Sequence, residues 1–117
     1  MKDPFRFRSF PVYNDSKNFV RACFDAVKEL REPSLKSQIQ RAATSIVLNI
    51  AEGSAKGSDK DFARYLSSAI GSVNELIAAF DLCNDLGLLS PDVFSKIETQ
   101  ALTIIDQLSK FRTSLKR

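Results

Sequence analysis

The stretch of residues 35–53 constrains the fold of this chain more than any other. Its apolar residues recur at helical intervals, and they are Leu35, Ile39, Ala42, Ala43, Ile46 and Ile50. This spacing places them in one stripe along a helix, which other helices must cover. A polar stripe runs beside it and consists of Arg41, Ser45, Asn49 and Glu52. Gly53 stands where a left-handed C-cap would end the helix. A core helix with one polar edge is therefore predicted over about residues 34–52.

Three more amphipathic segments have the same period and predict helices over about residues 15–31, 59–86 and 91–115. Local capping signals accompany them. They are an N-cap at Asn14 or Asp15, a stop at Glu32-Pro33, a capping box from Ser58 to Asp61, a C-cap at Gly87, and Ser90 before Pro91. Gly71 lies inside the third predicted helix, where a glycine costs stability, and it predicts a close crossing with another helix.

Four helices with short connections predict antiparallel neighbours. The predicted fold class is therefore all-α: an up-down-up-down four-helix bundle in one domain of residues 1–117, with residues 1–13 as an N-terminal arm. In the arm, Phe5, Phe7 and Phe10 alternate with Arg6 and Arg8, which predicts an extended conformation. The arm is either an aromatic and basic contact for nucleic acid or a segment whose phenylalanines pack on the bundle or on a neighbouring subunit.

The composition excludes several classes of chemistry. The chain has no histidine, which excludes Glu-x-x-His di-iron sites, zinc hydrolase helices and histidine-based nucleophilic sites. No glycine-rich phosphate loop is present, and neither a metal nor a cofactor is expected. Cys23 and Cys83 lie on apolar helix faces and are predicted to be free and buried rather than disulfide-bonded. No secretory leader or membrane span is predicted, so the cytoplasm is the expected compartment.

The polar stripe is predicted to form a clamp between the second and third helices. An antiparallel hairpin of these helices would bring Arg41 within reach of Glu75, and Glu52 close to Lys56 or Lys60. Since buried polar groups need partners, these residues are predicted to pair with one another. The clamp residues are Arg41, Ser45, Asn49, Glu52, Ser72 and Glu75. The alternative is a catalytic pair of carboxylates, Glu52 and Glu75, in a small hydrolase.

Basic residues provide the candidate nucleic-acid-binding surface. The net charge of +3 is compatible with a polyanionic partner but does not require one. The candidates are Lys17, Arg21, Lys28 and Arg31 on the first helix, Arg6 and Arg8 in the arm, and Lys110, Arg112, Lys116 and Arg117 in the C-terminal tail. The alternative is that these charges only keep the surface solvated, since Asp25 and Glu29 dilute the patch on the first helix.

Two sets of residues resemble the signature of a known family. The first set is Leu35, Gln38, Arg41, Ala42, Ser45, Ile46, Asn49, Ile50, Ala51, Glu52 and Gly53. The second is Phe62, Leu66, Ala69, Gly71, Ser72, Glu75 and Leu76. Together they resemble the 23S rRNA intervening-sequence proteins, or S23-like four-helix-bundle proteins. Where members often have an aromatic residue, glycine and arginine after the Glu-Gly pair, this chain has Ser54, Ala55 and Lys56.

The resemblance implies a four-helix bundle and a ring-like homo-oligomer, typically a pentamer. Some relatives are accessory proteins of diversity-generating retroelements, which associate with a reverse transcriptase and with nucleic acid. We therefore expect a non-enzymatic scaffold that binds RNA or DNA, a nucleic-acid enzyme, or both. The alternative is a protein-binding regulatory module with no nucleic-acid affinity. The apolar faces of the third and fourth helices, together with Phe10 and Phe24, are the expected subunit contacts.

Overall fold

The computed structural model describes residues 3–116 and contains four α-helices preceded by one short 3₁₀ helix. The 3₁₀ helix spans Arg6–Ser9. The α-helices are α1 (Pro11–Ala26), α2 (Pro33–Ser54), α3 (Asp59–Asp85) and α4 (Pro91–Leu115). No strand occurs in the described part of the chain. The predicted all-α class is confirmed.

The four helices form a square in cross-section. Helix α1 packs against α2 and α4, and α3 packs against the same two helices, whereas the diagonal pairs do not meet among the described residues. Gln107 near the end of α4 donates to the carboxylate of Asp15 near the start of α1, at 3.0 Å. Arg112 donates to the hydroxyl of Ser67 in the first half of α3, at 3.1 Å. These contacts agree with the up-down-up-down order.

All four helices contribute to one core. Its largest fully buried side chains are Phe19, Val27, Ile39, Ile46, Ile50, Phe62, Leu66, Val73, Leu76, Phe80 and Leu108. Within residues 3–116, α3 is the one helix long and apolar enough to cross a membrane by length and composition. The buried residues of α3, which include Phe62, Leu66, Val73, Leu76 and Phe80, face the core.

The bounds of α1 differ from the prediction at both ends. The helix begins at Pro11, which fits the first helical position, so neither Asn14 nor Asp15 is its N-cap. It ends at Ala26 rather than Arg31, and a turn follows in which Val27 is fully buried. The turn is closed by hydrogen bonds from the N–H of Lys28 to the carbonyl of Asp25 at 3.2 Å and from the N–H of Leu30 to the carbonyl of Val27 at 2.9 Å.

Glu32 and Pro33 begin α2 rather than end α1. The carboxylate of Glu32 accepts hydrogen bonds from the backbone N–H groups of Ser34 (2.9 Å) and Leu35 (3.2 Å). Pro33 occupies the first turn, where the missing N–H has no helical partner to lose. A carboxylate cap also interacts favourably with the positive end of the helix dipole.

The predicted caps at Ser58, Gly87 and Ser90 are confirmed. The hydroxyl of Ser58 accepts from the N–H of Asp61, and the hydroxyl of Ser90 accepts from the N–H of Val93, both at 3.2 Å. Gly87 has a φ of +70° and follows the last turn of α3. The N–H of Leu88 reaches back to the carbonyl of Cys83 at 2.8 Å, which is the long hydrogen bond of a Schellman motif.

The arm is not extended as predicted, because Arg6–Ser9 form a 3₁₀ turn that brings the arm back onto the bundle. The ring of Phe10 stacks on Phe62 of α3 and meets Phe111 of α4 edge-on, with centroid distances of 6.0 and 5.1 Å. The guanidinium of Arg6 donates to the carbonyl of Ser54 at 2.9 Å. We call this end of the molecule the arm end.

The two glycines inside helices have roles opposite to those predicted. Gly53 is buried within α2 and does not adopt a left-handed conformation. A Cβ atom at this position would lie 2.5 Å from Cβ of Tyr65 and 2.9 Å from Cδ1 of Phe62. Gly71, in contrast, is exposed, and an added Cβ would meet nothing within 4 Å. Gly53 therefore permits the close approach of α2 and α3, and Gly71 does not.

Gly53→Ala should destabilise the fold by about 1–3 kcal/mol, because the overpacking outweighs the gain in helix propensity. Gly71→Ala is the matched control and should stabilise by roughly 1 kcal/mol, since it gains propensity without a clash. Urea unfolding followed by circular dichroism measures both changes. Equal stabilisation by the two substitutions would contradict the close contact at Gly53.

Cys23 and Cys83 are free and buried, as predicted. Burial raises the pKa of the Cys23 thiol from its ordinary value of 9.0 to about 12. Burial also raises the pKa of the Cys83 thiol, with a smaller contribution from the nearby carboxylate of Glu32. Both thiols therefore stay protonated in the native protein at neutral pH, and neither is an activated nucleophile.

The free energy of unfolding should fall as the pH rises above 9. In that range the thiol of Cys23 ionises in the unfolded chain but stays protonated in the native protein, so the native state binds more protons. The expected loss from this residue is roughly 1 kcal/mol per pH unit. Urea titrations at pH 8 and pH 10.5 measure the difference. Cys23→Ala should show a shallower loss, and an equal loss in both proteins would contradict the assignment.

Candidate functional site

A small polar network joins α2 and α3 at mid-height. The hydroxyls of Ser45 and Ser72 are 2.8 Å apart. The side-chain amide of Asn49 donates to the carbonyl of Ser45 at 2.8 Å and to its hydroxyl at 3.0 Å. Each of these side chains is at least half-buried, so the network satisfies polar groups within the helix contact.

Arg41 and Glu75 do not form the partly buried pair that the sequence predicts. Both residues are exposed, and the side chain of Gln38 lies between them. The amide nitrogen of Gln38 donates to the carboxylate of Glu75, and its oxygen accepts from Arg41 at 2.8 Å. A glutamine can bridge the two charges because its amide carries both a donor and an acceptor.

The two carboxylates of the hydrolase alternative, Glu52 and Glu75, are far apart. Glu52 is one residue from Gly53, which packs against Tyr65, and Glu75 lies ten residues further along α3. At 1.5 Å per residue this separation is about 15 Å along the bundle. Paired catalytic carboxylates lie at most about 10 Å apart. Glu52 is exposed and forms no salt bridge with Lys56 or Lys60 among the described residues.

The polar edge of α2 faces outward along a shallow groove of about 460 Å³. Its lining residues are Ser37, Gln40, Arg41, Thr44, Ser45, Leu48, Asn49 and Glu52. Leu48 stands in this groove with 59% of its surface exposed. The predicted clamp is thus divided, with Ser45, Asn49 and Ser72 holding the helices together and Arg41 and Glu52 facing solvent.

The four basic residues predicted for the first helix are all exposed. Only Lys17 and Arg21 lie on α1 itself, because Lys28 falls in the following turn and Arg31 in the connection to α2. The guanidinium of Arg21 donates to Asn18 at 3.2 Å. None of the four lies within salt-bridge distance of a carboxylate in residues 3–116.

Most of the basic residues of the arm and the tail have intramolecular partners. Arg6 binds the carbonyl of Ser54, and Arg8 pairs with Asp3 at 3.3 Å. Lys110 pairs with Asp106 at 3.0 Å. Arg112 donates to Ser67, Lys116 is exposed, and Arg117 lies outside the described residues.

Three further cations lie at the arm end, and they are absent from the predicted binding surface. Lys56 follows α2, and Lys60 and Arg64 lie in the first turns of α3. The antiparallel packing of α3 and α4 brings Lys60 and Arg64 to the same groove as Lys116. The signal was present in the sequence, because the predicted helix bounds already place the start of α3 beside the end of α4.

The apolar stripes that the sequence assigns to α3 and α4 are buried within the bundle, so those residues are not free for subunit contacts, and assembly itself stays a prediction. Ile97, Ile104 and Leu108 of α4 are buried, and Phe10 packs on Phe62. Phe24 is 40% exposed. The other large exposed apolar residues outside the arm are Leu48, Leu82, Leu86, Leu88 and Leu102.

Few polar side chains are buried among the described residues. The buried polar side chains are Ser16, Ser54 and Ser72, and no charged side chain is buried in residues 3–116. No group of three or more aspartate, glutamate or cysteine side chains is placed to hold a metal ion in that range. What the bundle presents is exposed cations, exposed leucines and shallow grooves, which are binding features.

Comparison with known proteins gives one family and one fold. The family model described as 23S rRNA-intervening sequence protein matches residues 8–110. A crystal structure from Bacteroides thetaiotaomicron VPI-5482, of a protein with unknown function from the S23 ribosomal protein family, superposes with a TM-score of 0.81. The match has 25% sequence identity and covers 86% of this chain and 97% of that chain. None of the curated proteins matches this chain.

Proposed function

The chain belongs to the 23S rRNA-intervening sequence protein family, and from that premise we propose that it is a non-enzymatic, homo-oligomeric scaffold that binds nucleic acid. One observation carries the proposal. Lys17, Arg21, Lys28 and Arg31 are all exposed and have no carboxylate within salt-bridge distance in the described chain. Exposed cations without an ion-pair partner can each contact a phosphate without first breaking an ion pair.

The proposed assembly is a ring, for which the resemblance gives five subunits. Leu48 of α2 and Leu102 of α4 are 59% and 63% exposed and lie on helices that do not touch each other. These two exposed leucines, each taken as the centre of one contact patch, lie on opposite sides of the chain and favour a heterologous, head-to-tail contact. Such contacts close into a ring when the rotation between subunits allows it.

Assembly changes the electrostatic argument. A single chain with a net charge of +3 is a weak polyanion binder. A ring repeats the cations of α1 around its axis, so that one nucleic-acid molecule meets several copies at a high effective concentration. Affinity then comes from many phosphate contacts and depends little on base sequence.

A second candidate function is a protein-binding module. Leu82, Leu86 and Leu88 are exposed together where α3 ends, at the opposite end from the arm. An apolar cluster of this kind can take a partner protein such as a nucleic-acid enzyme, including the reverse transcriptase that the resemblance implies. If the protein binds nucleic acid, the partner protein is a second ligand of the scaffold. If the protein binds no nucleic acid, the partner protein is its ligand instead.

Replacing Lys17, Arg21 and Lys28 by glutamine should weaken the binding of RNA and of duplex DNA. The log–log dependence of affinity on salt should become shallower by about 0.7 to 0.9 for each phosphate that the variant no longer neutralises. Fluorescence anisotropy of labelled nucleic acid at two salt concentrations measures this. Lys96→Gln, which removes one exposed cation of α4, is the control and should change little. Absence of binding by the wild-type protein at low salt would reject the nucleic-acid function and favour the protein-binding module.

Light scattering of the wild-type protein should give a mass several times 13.1 kDa. Leu48→Asp and Leu102→Asp should each give monomers, because each disrupts one of the two apolar patches. An equimolar mixture of the two variants should form a heterodimer, since one chain still has its α4 patch and the other its α2 patch. Leu86→Asp, at the other exposed cluster, is the control and should assemble. A monomeric wild type, or a single variant that assembles by itself, would contradict the head-to-tail ring.

A further inference from the structure

We propose that the start of α3 and the end of α4 form a second nucleic-acid contact, which takes a single strand by its phosphates and one base. This inference rests on the proposed function in one respect, namely that nucleic acid is the ligand. It assigns a separate surface, however, which includes Lys56, Lys60 and Arg64. The surface of Lys17, Arg21, Lys28 and Arg31 is called the α1 surface from here on.

The first part of this surface is a groove of about 460 Å³ between α3 and α4. It is lined by Lys60, Ala63, Arg64, Ser67, Leu115 and Lys116. The hydroxyl of Ser67 accepts a hydrogen bond from Arg112 at 3.1 Å, which brings a fourth cation to the groove. Its floor is apolar at Ala63 and Leu115, so the surrounding charges act beside a weakly hydrated wall, where they are less screened than in open water.

A second groove of about 380 Å³ continues from the first, and Arg64 lines both. Its other lining residues are Lys56, Asp61, Tyr65 and Ser68. The ammonium group of Lys56 lies 5.1 Å from the centre of the Tyr65 ring. The two grooves form a strip with five cations, two serine hydroxyls and one aromatic ring.

One carboxylate lines this strip, and it already has a partner. Asp61 forms a salt bridge with Arg64. The hydrogen bond from Arg64 lowers the pKa of Asp61, so this carboxyl group stays ionised at neutral pH. Lys56, Lys60 and Lys116 have no carboxylate within salt-bridge distance among the described residues. The strip therefore keeps a net positive charge, because only the charge of Arg64 is paired with a carboxylate among the residues that line it.

The shape of the strip favours a single strand over a duplex. Grooves of this volume are the size of small-ligand sites and admit a nucleotide, whereas the bases of a duplex are stacked inside and cannot enter. Single strands bind to surfaces that combine cations along the backbone with an aromatic ring for a base. Tyr65 is half-buried beside Lys56 and supplies that ring. The Cβ of Tyr65 packs closely against Gly53, which anchors the base of this side chain.

The fluorescence of Tyr65 provides a direct readout. The chain has two tyrosines and no tryptophan, so Tyr13→Phe leaves Tyr65 as the one intrinsic fluorophore. Addition of single-stranded oligothymidylate to the Tyr13→Phe protein should quench this fluorescence, because a base stacks on the ring. A duplex of the same length should bind through α1 and leave the fluorescence of Tyr65 unchanged.

Three substitutions on the strip test the phosphate contacts. Lys60→Gln, Arg64→Gln and Lys116→Gln together should lower the affinity for the single strand about tenfold or more at low salt. The salt slope should become shallower by about 2, at roughly 0.7 for each phosphate left without its cation. The three positions are exposed helix or terminal sites, so circular dichroism should report an intact fold.

A matched pair of carboxylate substitutions tests the strip in the opposite direction. Asp61→Asn removes the one negative charge that lines it and releases Arg64, so single-strand affinity should rise several-fold. Asp59→Asn removes the same charge two residues away, at a position that lines neither groove, and should have a smaller effect. Equal effects of the two would mean that only net charge matters and would overturn the strip.

The results separate this inference from the function on which it rests. If the wild-type protein binds single strands but the strip variant binds equally well and Tyr65 is not quenched, the strip is wrong and the α1 surface remains. The variant with glutamine at Lys17, Arg21 and Lys28 should keep single-strand binding. If the variant with glutamine at Lys60, Arg64 and Lys116 loses that binding, the strip is supported as the single-strand site. If the wild-type protein binds no nucleic acid at low salt, both are overturned.

Discussion

The contact between Gly53 of α2 and the side chains of Phe62 and Tyr65 of α3 is the constraint on which the rest of the arm end depends. Without a Cβ at Gly53 the two helices approach closely, and the ring of Phe62 turns inward to meet Phe10 and Phe111. The same approach brings the last turn of α2 within reach of Arg6, whose guanidinium also lies over the Phe62 ring at 5.4 Å. The absence of a Cβ atom at Gly53 thus permits the contacts that join α2, α3, α4 and the arm at this end of the molecule.

Features that depend on neighbouring residues could be predicted from the sequence, and features that depend on distant ones could not. The caps at Ser58, Gly87 and Ser90 are decided within a few residues, and the sequence pattern predicts them correctly. The conformation of the arm and the helical role of Gly53 are decided by residues of other helices, and a single sequence does not reveal those contacts. The end of α1 at Ala26 belongs to the same group.

The sequence predicts which polar residues lie between α2 and α3 better than it predicts which of them pair with each other. Ser45, Asn49 and Ser72 do lie together between α2 and α3. Arg41 and Glu75 were matched by charge, whereas the structure places the neutral Gln38 between them. Long side chains on the edge of a helix contact can exchange partners at little cost, so the charge pattern alone does not determine them. The long cationic side chains of the arm and the tail likewise pair with polar groups that lie near them in the folded protein.

The docking of the arm has a consequence for the order of events during synthesis. Phe10 packs on Phe62 of α3 and on Phe111 of α4. The arm precedes these helices in the chain and therefore has no complete binding site until α4 has been made. We expect α2 and α3, joined by a short loop, to form early, since closing a short loop costs little entropy. The aromatic arm then packs onto the arm end last, after α4 is in place, although it is synthesised before all four helices.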